Sequence, residues 1–252
     1  HVKRHSFPTR RSSDLFFVKN RFIVVRDETT FREAFTARVG PTWNTQNFGP
    51  LSGAHWLNTW FSDHWFQHAR IYPNPRWELL VWHAPHADRR LIIHNRLDEK
   101  NACDVPYSTR YIWEGPVKPG SRVQFVQVLL PHTPWLNPAP LAENIEALRD
   151  EPGLAVLSIR DSQHYALVIL NAGGQPLEIE LESTKAKRVP FMSVHTDARQ
   201  VYLLAPSRPA DPGEKGELGA VAEALMLDGT YLTIDDEDLV RLDKRGIFEH
   251  IN

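Results

Sequence analysis

The chain is broken at short intervals, and this limits its fold more than any other feature. Nineteen prolines and thirteen glycines lie across 252 residues, so the apolar runs between them are strand-sized and none is long enough for a membrane-spanning helix. Phe16-Phe17-Val18 and Phe22-Ile23-Val24-Val25 flank Lys19-Asn20-Arg21 and read as strand, tight turn, strand. Trp77–His83, Arg90–His94 and Arg122–Leu130 are β-rich. Leu154–Ile159 and Tyr165–Leu170 form a hairpin around Arg160–His164, and Gly173-Gly174 is a turn before Leu177–Leu181, which alternates apolar with acidic residues. Val201–Leu204 adds a short strand. Asp228-Gly229 within Leu225–Ile234 suits the positive φ of a type I′ hairpin. One helix is predicted, Leu141–Asp150, which follows Pro138 and Pro140 and aligns Leu141, Ile145 and Leu148. Gly219–Leu225 fits helix or strand equally, Ser207–Gly216 is a loop, and the acid run Asp235–Asp238 is a solvated strand end. The expectation is an all-β fold, a large antiparallel β-sandwich of the super-sandwich type over residues 16–252.

Charge narrows the partners. Lys and Arg number 29 against 31 Asp and Glu, a net −2, so no basic field invites nucleic acid. A single cysteine, Cys103, excludes an internal disulfide and a cysteine-rich zinc site. Eight Trp and twelve His suit polar-aromatic surfaces such as sugar clefts.

His1–Leu15 stands apart. It is basic and serine-rich, without a strand or helix period and without the apolar core of a signal peptide. Ser6–Leu15, SFPTRRSSDL, is similar to the translation of a sequencing adapter, so residues 1–15 are read as non-native and the domain as truncated on its N-terminal side. A disordered basic arm is the other reading. This segment holds four cations and one acid, which leaves the rest of the chain at −5.

Few motifs carry chemistry. His83-x-x-His86-x-Asp88 has zinc-ligand types, but Pro85 separates the histidines and a polar loop explains them as well. His64 and His68 have helical ligand spacing without the intervening Glu of a metalloprotease. Cys103 lies beside Asp104, which opposes thiolate formation. The nucleophile elbow and the phosphate-cradling glycine loops are missing. Glu78, Glu114, Asp63 and Asp88 could serve a hydrolase, but nothing in the sequence pairs them. No residue is assigned a catalytic or metal-binding role.

Arg38–Trp65 is the richest segment. It combines aromatic rings, which cover the C–H faces of sugars, with side-chain amides that reach hydroxyls. Trp43, Asn44, Gln46, His55 and Trp56 are the substrate-binding candidates, led by Trp43 and His55. The competing reading places several of these rings in a core beneath a loop, as it does Trp60 and Trp65.

Phe16–Asp27, FFVKNRFIVVRD, resembles a recurring piece of the heparinase II/III-like polysaccharide lyases, where a similar turn and a strand ending in Asp open the later part of a large sandwich. The resemblance implies an N-terminal α/α toroid, missing here, and an acidic, uronic-acid-containing polysaccharide held between the toroid and the sandwich. It implies β-elimination, in which a base takes the proton α to the carboxylate and an acid protonates the leaving oxygen. The Tyr and His pair would lie on the toroid. A His-rich metal motif would precede Phe16, so a divalent metal belongs to the parent protein and no cofactor to this fragment. The fragment is expected to be inactive alone, and its parent periplasmic or secreted. A non-catalytic carbohydrate-binding or structural sandwich is the alternative.

Overall fold

A computed structural model describes residues 9–45, 51–60, 77–95, 107–181, 189–206 and 221–251. The chain is all-β and antiparallel, with one short helix among the described residues. It divides into two compact units, His1–Glu143 and Asn144–Asn252. The span 16–252, read from sequence as one domain, takes in most of unit 1 and all of unit 2.

Among its described residues, unit 1 has two sheets. The first runs β1 (Thr9–Val18), β2 (Phe22–Phe31), β10 (Arg122–His132), β7 (Glu78–His83), β6 (Trp56–Trp60) and β5 (Leu51–Ser52). In the second, β9 (Tyr107–Val117) pairs along one edge with β3 (Phe35–Val39) and then β4 (Thr42–Thr45), and along the other with β8 (Arg89–Asn95). Phe31, Val123 and Phe125 of the first sheet pack with Ala37, Tyr111 and Val117 of the second. Leu57, Val81 and Leu129 are joined by Trp43 and Leu91. These contacts make unit 1 a two-layer structure of the sandwich type. The predicted turn at Lys19-Asn20-Arg21 closes β1 on β2, and Asn20 takes a positive φ of 62°. Asn tolerates that backbone better than most residues.

Residues Thr9–Leu15, in the segment set apart by its sequence, continue β1 along β2. Asp14 receives the buried Arg26 guanidinium, which also donates to Gln124. Arg122 forks onto Glu28 beside it.

The described residues of unit 2 form one eight-stranded sheet in the order β11 (Ile145–Glu151), β12 (Leu154–Arg160), β13 (His164–Asn171), β16 (Gln200–Pro206), β17 (Glu223–Ile234), β15 (Ser193–Thr196) and β14 (Leu177–Glu180), with β18 (Glu237–Ile251) also on β17. Its core draws on both ends of this order: Val156, Leu167 and Leu203 meet Ile179, Val194 and Met226. The sheet thus curls around its own apolar face.

Two local expectations are corrected. The helix α1 spans Pro138–Glu143 only, and Ile145–Glu151 is strand β11. The aligned Leu141, Ile145 and Leu148 fit either period over so short a run, and pairing with β12 decides it. Asp228-Gly229 lies inside β17 at a register shift, while the hairpin turn is Asp235-Asp236, both at positive φ. The acid run read as a strand end is that turn. The Ser207–Gly216 loop falls outside the described residues.

Candidate functional site

Antiparallel register brings the polar groups of unit 1 to two places. The first is the rung where Gln127 of β10 faces Val25 of β2 and His83 of β7. Both Gln127 and His83 are buried. The Gln127 amide donates to Asp27 at 3.3 Å, and its carbonyl accepts the Trp43 indole N–H at 2.5 Å. Trp43 is half-buried, and its carbonyl accepts from Thr109. A predicted sugar contact therefore has its polar edge turned inward, onto the buried side-chain carbonyl of Gln127.

On the same rung, His83 stacks on Tyr111 with ring centroids 4.6 Å apart. The Tyr111 hydroxyl donates to the Ala84 carbonyl at 3.1 Å and accepts the His86 N–H, fixing the turn after β7. Among the described residues, neither ring nitrogen of His83 has a hydrogen-bond partner. Burial, reinforced by nearby His55 and Arg89, holds its pKa down at about 3, so the ring is neutral at ordinary pH. His55 is half-buried, and desolvation lowers its pKa too. Its ring stands edge-on to Trp82 at 6.0 Å, and its carbonyl accepts the His83 N–H.

The remaining candidates scatter. Asn44 is exposed on β4, and Gln46 lies outside the described residues. Trp56 is half-buried on β6, its ring so close over Gly53 that a Cβ there would sit 2.2 Å from the indole nitrogen. His83, His86 and Asp88 do not converge to shared ligand distance. Of the four carboxylates, Glu114 lies near Arg38 and Arg90, Asp88 near Arg89, and Asp63 is outside the described residues. His64, His68, Trp65 and Cys103 are outside them too.

The second place is the end of the β6–β7–β10 ribbon. Register pairs Glu78 with His132 and puts Asn58 opposite Leu80. The Asn58 amide donates to the Glu78 carboxylate at 2.6 Å, and its carbonyl lies 2.7 Å from His132 Nε2. His132 Nδ1 lies 2.9 Å from the Thr133 carbonyl. Asn58 and His132 are buried, while Glu78 keeps partial exposure. One residue before Glu78 stands Trp77, 61% exposed, and three after His132 stands Trp135, 81% exposed. Two bare indoles thus share one end of a strand pair with a partly open carboxylate whose orientation is fixed by hydrogen bonds. The sequence reading did not select Trp77, Trp135, Asn58, Glu78 or His132 as a group. Adjacency of Trp77 to a strand and of Trp135 to Pro134 was the available signal, and it needed the register to become a site.

No family model matches the chain, and no curated protein matches it.

Proposed function

We propose that this chain is the carbohydrate-contacting β-sandwich portion of a polysaccharide lyase that acts on uronic-acid-containing polymers, inactive by itself. The contact is assigned to the Trp77–Trp135 end of unit 1. The exposure of these two indoles at one end of the β7–β10 pair carries the reading. Large aromatic rings left in water at one end of a sheet are costly unless something covers them, and the C–H face of a sugar ring fits an indole. Glu78, braced by Asn58, offers acceptors to hydroxyl groups. The hairpin Phe16–Asp27, whose sequence resembles the lyase piece, forms the β1–β2 turn of the same unit, which supports the family and, with it, a periplasmic or secreted parent.

The test is affinity electrophoresis of the full chain in alginate, heparin and chondroitin sulfate gels. At least one polymer is expected to retard the chain. Trp77→Ala with Trp135→Ala should weaken that retardation about tenfold or more, with the thermal midpoint unchanged because both rings are exposed. No retardation in any gel, or equal retardation of the double variant, overturns the assignment.

A further inference from the structure

We propose that the β14–β15 edge of unit 2 binds a divalent transition-metal ion, zinc being the best match, through His195, Glu178 and Glu180. The placement follows from strand geometry. Ile179 and Val194 point into the unit 2 core, so their neighbours Glu178, Glu180 and His195 project from the opposite face. Register sets Glu178 directly across from His195, with His195 Nε2 and Glu178 Oε1 3.6 Å apart. Glu180 follows two residues on, and one ligand atom from each residue lies within 4.8 Å of the other two.

Tetrahedral zinc with bonds of about 2.0–2.2 Å to imidazole and carboxylate holds its ligand atoms roughly 3.3 Å apart. Small rotations of exposed side chains close that difference. The donor set itself is selective. A carboxylate pair alone suits any hard cation, whereas an imidazole nitrogen beside it favours zinc and its neighbours over calcium or magnesium. The electrostatics point the same way. Among the described residues, the His195 ring is the group found beside Glu178, and Glu180 has no ion pair. Two like charges at i and i+2 on an edge strand repel unless a cation stands between them. Charges on an edge also discourage strand addition, but that purpose does not require an imidazole within reach of both carboxylates. Three protein ligands leave a fourth position for water.

The experiment uses the full chain, stripped with a chelator and titrated with zinc chloride by calorimetry, then with cobalt chloride by visible absorption. About one equivalent of zinc should bind in the micromolar range, and cobalt should give the absorption of a low-coordinate site. Glu180→Gln and His195→Ala should each weaken zinc binding about tenfold or more. Glu180 is exposed, so Glu180→Gln should keep the metal-free thermal midpoint of the parent chain. It decides the matter if His195→Ala fails to fold. Zinc binding that both variants leave intact places the ion on other histidines and overturns the proposal. Calcium bound as tightly as zinc overturns the metal class, and no zinc binding at roughly a hundred micromolar overturns the site.

Discussion

A buried imidazole with two idle nitrogens is an expensive residue, and His83 is one. What holds it is the stack on Tyr111 and its pairing with Gln127 at the last rung of β7 on β10. Its titration should be visible in stability. The unfolded ring takes its proton near pH 6.5, while burial, His55 and Arg89 delay this in the folded chain to about 3. Between those values the unfolded state binds more protons, so stability falls as the pH drops from about 6.5 toward 3, by up to about 1.4 kcal/mol per unit. His83→Phe keeps a ring on Tyr111 and removes the proton. Urea unfolding followed by tryptophan fluorescence should show a flatter acid slope for this variant. An unchanged slope would mean that His83 does not titrate as described. Asp197 acts in a lower window. Burial alone would raise its pKa, but the N–H and hydroxyl of Thr230, the N–H of Tyr231 and nearby Arg245 outweigh burial and hold it below the ordinary value. Its contribution is complete above the unfolded value near 3.9 and is lost as pH falls through the lower folded one. Asp197→Asn should cost about 1–3 kcal/mol at pH 7, and this cost should shrink as the pH falls below the unfolded value through the lower folded one, again by urea unfolding.

At the scale of elements, β17 shows how a correct motif can be assigned the wrong job. Asp-Gly is a strong hairpin signal because both residues accept positive φ. Here Asp228 does take φ of 53°, but within a strand, where the ladder to β18 shifts register. Gly229 serves another purpose: a Cβ there would lie 2.5 Å from the Ala198 Cβ and 2.8 Å from its Cα. Backbone cannot yield as a flexible side chain can. Gly229→Ala should therefore destabilise unit 2 by about 1–3 kcal/mol in urea unfolding, and a neutral result would show that β17 relaxes away from Ala198. The true turn, Asp235-Asp236, was hidden because Asp is a weaker turn signal than Gly. It is held partly by a long-range contact, the Asp235 carboxylate accepting the N–H groups of Met192 and Ser193. By contrast, β10 and β14 were legible from alternation, and β7, β12 and β13 from β-rich apolar runs bounded by turn residues. Local period settles elements whose neighbours agree with it. It fails at α1 and β11, where six helical residues and seven strand residues share one apolar pattern.

At the scale of the whole molecule, the all-β antiparallel class could be read from the spacing of breaks. The division at Glu143/Asn144 could not, because no change in composition marks it. The site divides the same way. Aromatic and amide content pointed to the Trp43 segment, but which ring faces water depends on register, and register put Trp43 on Gln127 and left Trp77 and Trp135 bare. The same reasoning bears on catalysis. Elimination from a uronic-acid polymer needs a base, an acid and a group to neutralise the carboxylate, all within reach of one sugar ring. Two of the described histidines of unit 1 are closed to these roles: His83 is sealed in the sheet stack, and His132 has both nitrogens against the oxygens of Asn58 and Thr133. Neither can meet a polymer without dismantling the packing that positions it. On the proposed reading, the full chain incubated with alginate, heparin or chondroitin sulfate should produce no rise in the ultraviolet absorbance of unsaturated uronate, while still being retarded by one of those polymers in a gel. Turnover that survives His132→Gln and Glu78→Gln would place the chemistry elsewhere in the chain, and turnover abolished by them would make the Asn58–Glu78–His132 group catalytic. Either form of turnover ends the reading of an inert binding half.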